Sequence, residues 1–495
     1  EQVAALVDHG SFREYGRHAV AAQLGRQDLE TLLQRTPADG LVAGLGDVNG
    51  DAVGSGESKA VVLAYDALTL AGTQGYFNHI KLDRMLELAE ARRLPVLMCC
   101  EGGGGRPGDT DTDLLMSSQL RVSSWVRLGR LSGLVPLVGV ASGFCFAGNA
   151  ALLGICDLIV ATATANIGMA GPAMIKGAGL GSVEASAIGP AGEQHAAGVV
   201  DVLVGTDAEA TETARQLLGY FQGPVRPPPD GFACADQRLL RDAVPENRRR
   251  AYEMRTVVQT IADSGSWLEL RRGWAPGMIS GLCRVGGRPL GVLANSPLHQ
   301  GGAVDADGAL KAARLMELCD AHELPLLLLC DTPGFMVGAE HERQAAVRKL
   351  SRMFTVAASL SVPFFTIVTR KAYGLGAMAM AGGMSVGGNV FHVSWPSAEA
   401  GPMGIEGAVE LGFSKELAEA ALTSAEARRQ LYTSLVEAAH ERGGALSVAR
   451  TLETDEVIDP AESRAWIQAA LEASPAPPRE RGAHRGKRRP CVSPW

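Results

Sequence analysis

Short, wholly apolar runs alternate along this chain with longer stretches whose apolar residues recur every three or four positions. Val61-Val62-Leu63-Ala64 and Pro95-Val96-Leu97-Met98-Cys99-Cys100 read as strands buried on both faces. Between them Leu82–Arg92 carries apolar residues at 82, 85, 86 and 89, one face of a helix. The same succession returns as Val292-Leu293-Ala294, a helical stretch over Leu310–Ala321, and Pro325–Cys330. Strands separated by helices predict parallel sheets and an α/β fold. Asn49-Gly50, between apolar runs, predicts a hairpin turn. Gln222–Pro245, with Pro224, Pro227, Pro228 and Pro229, reads as an extended junction. Lys415–Arg450 is helical in pattern and rich in Ala and Glu.

The two halves share this pattern at a fixed spacing. Pro325 follows Pro95 by 325 − 95 = 230 residues, and Val292 follows Val62 by 292 − 62 = 230. Val135-Pro136 returns as Val362-Pro363 (offset 227) and Gly171-Pro172 as Gly401-Pro402 (offset 230). The glycine-rich segments starting at Gly44 and Gly281 lie 237 apart, so the first half carries about seven extra residues near Val53–Ala60. A period this long excludes a solenoid and predicts two homologous domains, 1–235 and 236–474, followed by a segment 475–495.

A chain of 495 residues has room for about three domains or two large ones. Its net charge of −8 argues against a nucleic-acid or membrane-surface partner, and no apolar run reaches the ~18 residues that span a bilayer. Arg479, Arg481, Arg485, Lys487, Arg488 and Arg489, set among Pro and Gly, read as a disordered basic tail. Among nine cysteines there is no C-x-x-C pair, and Cys99, Cys100 and Cys330 sit inside strand-like runs as small hydrophobes. That usage points to a reducing compartment, the cytoplasm. The chain begins with Glu1 and shows no signal-peptide pattern, which points to a fragment or a processed chain.

The informative chemistry follows the later strand of each half. Pro136–Val140 runs into Ser142-Gly143-Phe144-Cys145-Phe146-Ala147-Gly148, and Pro363–Val368 into Arg370-Lys371-Ala372-Tyr373-Gly374-Leu375-Gly376, each entering an Ala-rich stretch. A strand, a small-residue turn and a helix start leave first-turn amides without intrahelical partners. Such amides suit an oxygen that develops negative charge. Close strand–helix packing through small residues is the plainer explanation, and it loses ground because the arrangement occurs twice.

Arg370–Gly374, preceded by Asp331-Thr332-Pro333-Gly334-Phe335 and followed by Trp395-Pro396-Ser397-Ala398-Glu399 and Gly404–Val409, resembles the carboxyltransferase component of biotin-dependent acyl-CoA carboxylases. Asp8–Glu14 is similar to the D-x-G-S-F-x-E opening of that family, and the resemblance runs over residues 4–470. It implies two crotonase-like domains, each a β-β-α spiral, the first binding acyl-CoA and the second carboxybiotin, meeting across a dimer interface. By position, Ala147 and Gly148 would offer amides to the thioester oxygen, and Leu375 and Gly376 to the biotin ureido oxygen. Gly143, Phe144, Cys145 and Phe146 would line the acyl-CoA site; Tyr373, Gly374, Gly334 and Phe335 would line the biotin site. Lys59, Lys81, Arg106 and Lys176 are candidates for CoA phosphate contacts. Three departures stand out: the family's Gly-Gly is Ala147-Gly148 here, its Gly-Gly-Ala is Gly374-Leu375-Gly376, and Glu101–Asp109 replaces its Ser-Gly-Gly-Ala-Arg, in the manner of large fused carboxylases.

No ATP-grasp pattern and no Ala-Met-Lys-Met site occurs; Ala377-Met378-Ala379-Met380 lacks the lysine. Biotin must then arrive on a separate domain or chain, with a biotin carboxyl carrier and a biotin carboxylase as partners and with self-association to a dimer or hexamer. The turns hold no His, Asp or Glu, and Cys145 would need a cationic neighbour to ionise. That suits a reaction in which the biotin nitrogen itself removes the α-proton. A malonyl- or methylmalonyl-CoA-type decarboxylase is the alternative enzyme, and a non-catalytic scaffold the alternative class. Gly383–Gly387 has the spacing of a nucleophile elbow but the wrong flanking elements. Gly177–Gly181 is an incomplete dinucleotide fingerprint. The ten histidines show no metal-ligand spacing.

Overall fold

The computed structural model describes residues 1–54, 56–106, 108–112, 121–248, 250–381, 388–474 and 487–495. They form two compact units. One takes residues 1–226, 271–274 and 487–494, and the other takes 227–270, 275–474 and 495.

The first unit is built on a seven-stranded sheet. Its strands are β1 (Arg13–Glu14), β2 (Leu41–Asp47), β3 (Lys59–Tyr65), β4 (Val96–Cys99), β5 (Leu137–Ala141), β7 (Leu158–Thr162) and β9 (Val202–Val204), in that order across the sheet. The short strands β6 (Phe144–Phe146) and β8 (Asn166–Gly168) pair separately. β2 and β3 form the expected antiparallel hairpin, and β3, β4, β5, β7 and β9 run parallel. Every residue of β4 and β5 is buried, as parallel strands covered on both faces must be. The helix Tyr76–Arg92 buries Leu82, Met85, Leu86 and Ala89, the face its periodicity predicts. It stops at Arg93, which turns left-handed at φ +54°.

The second unit repeats the plan with β10 (Leu268–Leu270), β11 (Met278–Val285), β12 (Arg288–Asn295), β13 (Leu326–Thr332), β14 (Phe364–Tyr373), β15 (Asn389–Ser394), β16 (Glu399–Gly401) and β17 (Glu456–Val457). β14 runs ten residues and does the work of both β5 and β6: its start pairs with β13 and β15 and its end with β16. Asp305 caps the helix Ala306–Ala321 by accepting from Gly308 N at 2.7 Å.

The ladders give the duplication its true register. Gly44 faces Val62, 18 residues on, where Gly281 faces Val292, 11 on; 18 − 11 = 7, the insertion expected in the first hairpin. Val96 faces Leu137 and Leu326 faces Phe364, offsets of 326 − 96 = 230 and 364 − 137 = 227. One landmark was misaligned. Gly168 ends β8 where Gly401 ends β16, and the next helices start at Pro172 and Ile405; both offsets are 233. Gly401 therefore matches Gly168 and not Gly171, and the shared Gly-Pro dipeptide is a local coincidence.

The basic tail also needs correcting. Residues 475–486 lie outside the described ones, but 487–494 are placed on the first unit. There Lys487 Nζ donates to Ser132 O at 2.7 Å, Val492 N donates to Ser132 Oγ at 3.0 Å, and Val492 is buried. Among the described residues no helix is long and apolar enough to cross a membrane.

Candidate active site

In the first unit, Ser142-Gly143 carries β5 into β6, and Ala147 turns β6 into the helix Gly148–Ile155. Ala147 takes φ +52°, ψ −120°, a conformation natural to glycine and strained for a residue with a β-carbon. Its amide donates to Gly168 O at 3.0 Å. Of the two amides expected to meet an oxyanion, that of Ala147 is thus taken up inside the fold. Gly148 N heads the helix, where no intrahelical acceptor exists. The Gly104 backbone lies beside it: a β-carbon built on Gly104 would sit 2.7 Å from Ala147 Cβ and 3.1 Å from Gly148 N. Gly104 is held there because Gln74 N donates to Gly104 O at 2.6 Å and Arg106 N to Gln74 O at 2.9 Å. Around this turn Phe144 is half exposed and stacks on the buried Phe146 at 5.7 Å. Cys145 is fully buried, and burial pushes its thiol well above the usual range.

In the second unit, Gly374 takes φ +57° at the end of β14, the counterpart of Ala147 (374 − 147 = 227), and opens the helix Gly374–Met380. By that register Leu375, not Gly376, matches Gly148. Gly376 has a different reason to be glycine. A β-carbon there would lie 2.5 Å from the Gly334 carbonyl carbon and 2.7 Å from Phe335 N. Leu375 is exposed beside the turn.

Buried Asp331 holds the approach to both glycine turns of this unit. It pairs with Arg370 Nη2 at 3.1 Å and Lys371 Nζ at 2.8 Å and accepts from Lys371 N at 3.2 Å. The chemistry of the Asp-Thr-Pro-Gly-Phe and Arg-Lys-Ala-Tyr-Gly runs is therefore largely internal: one carboxylate ties the end of β13 to the end of β14. Tyr373 Oη donates to Glu399, whose other oxygen lies 2.8 Å from His440 Nδ1. Burial and the Glu399 carboxylate both push the Tyr373 phenol up.

Comparison with known proteins decides what this paired arrangement belongs to. The carboxyl transferase domain model matches residues 1–488. The beta6 subunit of a biotin-dependent acetyl-/propionyl-coenzyme A carboxylase from Mycobacterium tuberculosis is 30% identical over 92% of each chain. The methylmalonyl-CoA carboxyltransferase 12S subunit of Propionibacterium freudenreichii is 30% identical over 99% of this chain and 91% of its own. Among solved structures, a single-chain, multi-domain long-chain acyl-CoA carboxylase superposes with TM-score 0.87 at 50% identity, over 95% of this chain and 45% of that one. The hexameric transcarboxylase 12S, solved with methylmalonyl-CoA bound, gives 0.82 at 27% identity over 98% and 91%.

The chain belongs to the carboxyl transferase family. Its crotonase-like α/β fold is that of these carboxyltransferases.

In this carboxyltransferase two of the expected phosphate contacts are occupied elsewhere. Arg106 is buried; it pairs with Asp39, donates to Thr73 O at 2.7 Å, and so fixes the segment that carries Gly104. Lys81 is buried too, with its ammonium on the carbonyls of Leu41 and Ala38, and burial lowers it to about 8. Both cationic heads are thus engaged inside the fold. Lys59 is exposed and pairs with Asp47 at 2.7 Å. Gly383–Gly387 lies outside the described residues.

Sequence reasoning missed Gly104 and the Glu399–His440 pair. The repeat held the signal for the first, since Gly334 − 230 is 104. For the second it held none, because 41 residues separate the partners.

Proposed function

We propose that this carboxyltransferase moves a carboxyl group from carboxybiotin to the α-carbon of an acyl-CoA, with the thioester at the Gly148 turn and biotin at the Gly374–Leu375 turn. The observation that carries this is the repeated strand–turn–helix, which sets Gly148 and Leu375 in the first turn of a helix at equivalent positions of two homologous units, where amides have no intrahelical acceptor. Biotin, brought on a separate domain or chain, supplies the carboxyl group and a basic ring nitrogen. The Leu375 turn suits it: an amide for the ureido oxygen sits beside the apolar side chains of Leu375 and Met378. At the other turn, Gly148 N stabilises the oxygen that becomes negative as the α-proton leaves. The residues beside the turns fit a reaction without a protein base, since Cys145 is held protonated and Tyr373 is engaged by Glu399. Self-association, a biotin carboxyl carrier and a biotin carboxylase complete the reading, and the cytoplasm is where these meet acyl-CoA.

The test is reverse transfer from a malonyl-CoA-type thioester to free biotin. Gly148→Pro removes the amide, and Gln74→Ala makes room for the ring, because a β-carbon at 148 would meet Gln74 Oε1 at 2.2 Å. The double variant should lose roughly 10²–10³ in kcat relative to Gln74→Ala alone. A folded double variant at the control rate would show the oxyanion site to be elsewhere. Biotin-independent loss of CO₂ would favour a decarboxylase.

A further inference from the structure

The Gly374 turn is not packed on every side. A cavity of about 830 Å³ lies against it, with Gly374, Ala377, Glu399, Gly401 and Pro402 in its lining. Most of a protein interior is fixed by close contact all round, but here one side of the turn faces space. On that side hydrogen bonds, not packing, set the angle at which the backbone leaves β14. The strand is held at both edges. On the β13 edge Asp331 pairs with Arg370 and Lys371. On the β16 edge Lys371, Ala372 and Tyr373 face Glu399, Ala400 and Gly401 in the ladder, and Tyr373 Oη donates to the Glu399 side chain.

Tyr373 has a single hydroxyl proton, and Glu399 takes it. The buried phenol therefore has none left for a ligand, and what it does is hold the backbone from which Gly374 starts. Glu399 is held in turn. Its second oxygen lies 2.8 Å from Nδ1 of His440, in the last turn of the helix Ala425–Gly443, and Arg248 Nε stands 3.6 Å away. The Glu399 backbone bridges to Gly444, and Ala445 N donates to Ala398 O at 3.0 Å. The end of that helix and β16 are thus one piece. Gly374 meets the same piece directly, since a β-carbon on it would lie 2.8 Å from Pro402 O, just past β16.

We propose that Glu399 is a positioning residue for biotin: through Tyr373 it holds the Gly374–Leu375 turn in the attitude that receives the ureido group, and His440 holds Glu399. The inference rests on the reading of that turn as the biotin site.

The test measures binding as well as turnover, on the full chain. Free biotin is titrated by ligand-observed NMR and malonyl-CoA by calorimetry, beside reverse transfer from malonyl-CoA to biotin. Glu399→Ala should weaken biotin roughly tenfold or more in both Kd and KM, the scale of losing a hydrogen bond to a charged group, and leave malonyl-CoA affinity within about twofold. Glu399→Gln keeps an oxygen for Tyr373 and should bring biotin affinity back to within about threefold of the wild type. Adding Tyr373→Phe to Glu399→Ala should cost little more, because coupled partners are not additive. Unchanged biotin affinity in Glu399→Ala, an equal loss for both ligands, or a full further loss in the double variant would overturn the proposal. Should Glu399→Ala not fold, His440→Ala decides: a selective loss of biotin affinity supports the proposal and no change overturns it. A wild type that binds malonyl-CoA but no biotin would sink the biotin reading of the turn and the proposal with it. Biotin binding that the variants leave alone would sink the proposal only.

Discussion

Ala147 carries the backbone strain of the first turn, and its methyl group is what a side chain at Gly104 would meet. Relieving φ +52°, ψ −120° with Ala147→Gly should stabilise the first unit by about 1 kcal/mol. The gain is read as a rise in urea midpoint at unchanged slope; a loss of stability would mean that the methyl packing outweighs the strain. At this scale the sequence revealed the turn but not which amide is free. The bond from Ala147 to Gly168 depends on β6 pairing with β8, twenty-odd residues on. Arg106 and Lys81 teach the same lesson. A cation's charge is visible in a sequence, whereas the carbonyls and carboxylates that will enclose it are not.

Elements are held by a few buried charges that one half has and the other lacks. Asp331 pairs with Arg370 and Lys371, while the carboxylate of its counterpart Glu101 (331 − 230) faces Gly143 and accepts from Gln2, and burial raises it. Asp331→Ala leaves two cations without their carboxylate. It should destabilise the second unit by about 3–5 kcal/mol in chemical denaturation, and a cost below 1 kcal/mol would show that water replaces the carboxylate. In the first unit His79 joins the helices Tyr76–Arg92 and Ser124–Leu131 through Ser124 Oγ at 3.0 Å, with Asp83, Arg106 and Asp109 near it. Burial lowers it from 6.5 to about 4. As pH falls below 6.5 the unfolded imidazole binds a proton that the folded one refuses until about 4. Stability present above 6.5 is thus lost across that window, by about 3 kcal/mol. Denaturation midpoints taken from pH 7 to 4 should fall less steeply for His79→Gln, and identical slopes would refute this. Periodicity located the helix Tyr76–Arg92 because one face of it is buried; the repeat placed Gly401 badly because a dipeptide carries no register.

The duplication was legible over the whole molecule, since two sheets with the same apolar runs must keep nearly the same spacing. The make-up of each unit was not. Residues 271–274 and 487–494 belong to the first unit: Arg271 Nε lies 2.9 Å from Asp201, Gly273 N donates to His195 Nε2 at 3.0 Å, and Lys487 and Val492 bond Ser132. Deleting 487–495 should lower the melting temperature of the first unit by several degrees, the scale of losing a few buried contacts, and an unchanged melt would make that segment dispensable. Domains are usually finished in the order in which the ribosome makes them. Here the earlier unit waits for the later one, because parts of its surface are closed by residues translated more than 40 and then more than 250 positions after its own sheet has emerged. Until residue 274 is made the first unit is a body with two seams open, and a pause in synthesis before residue 487 leaves one of them so.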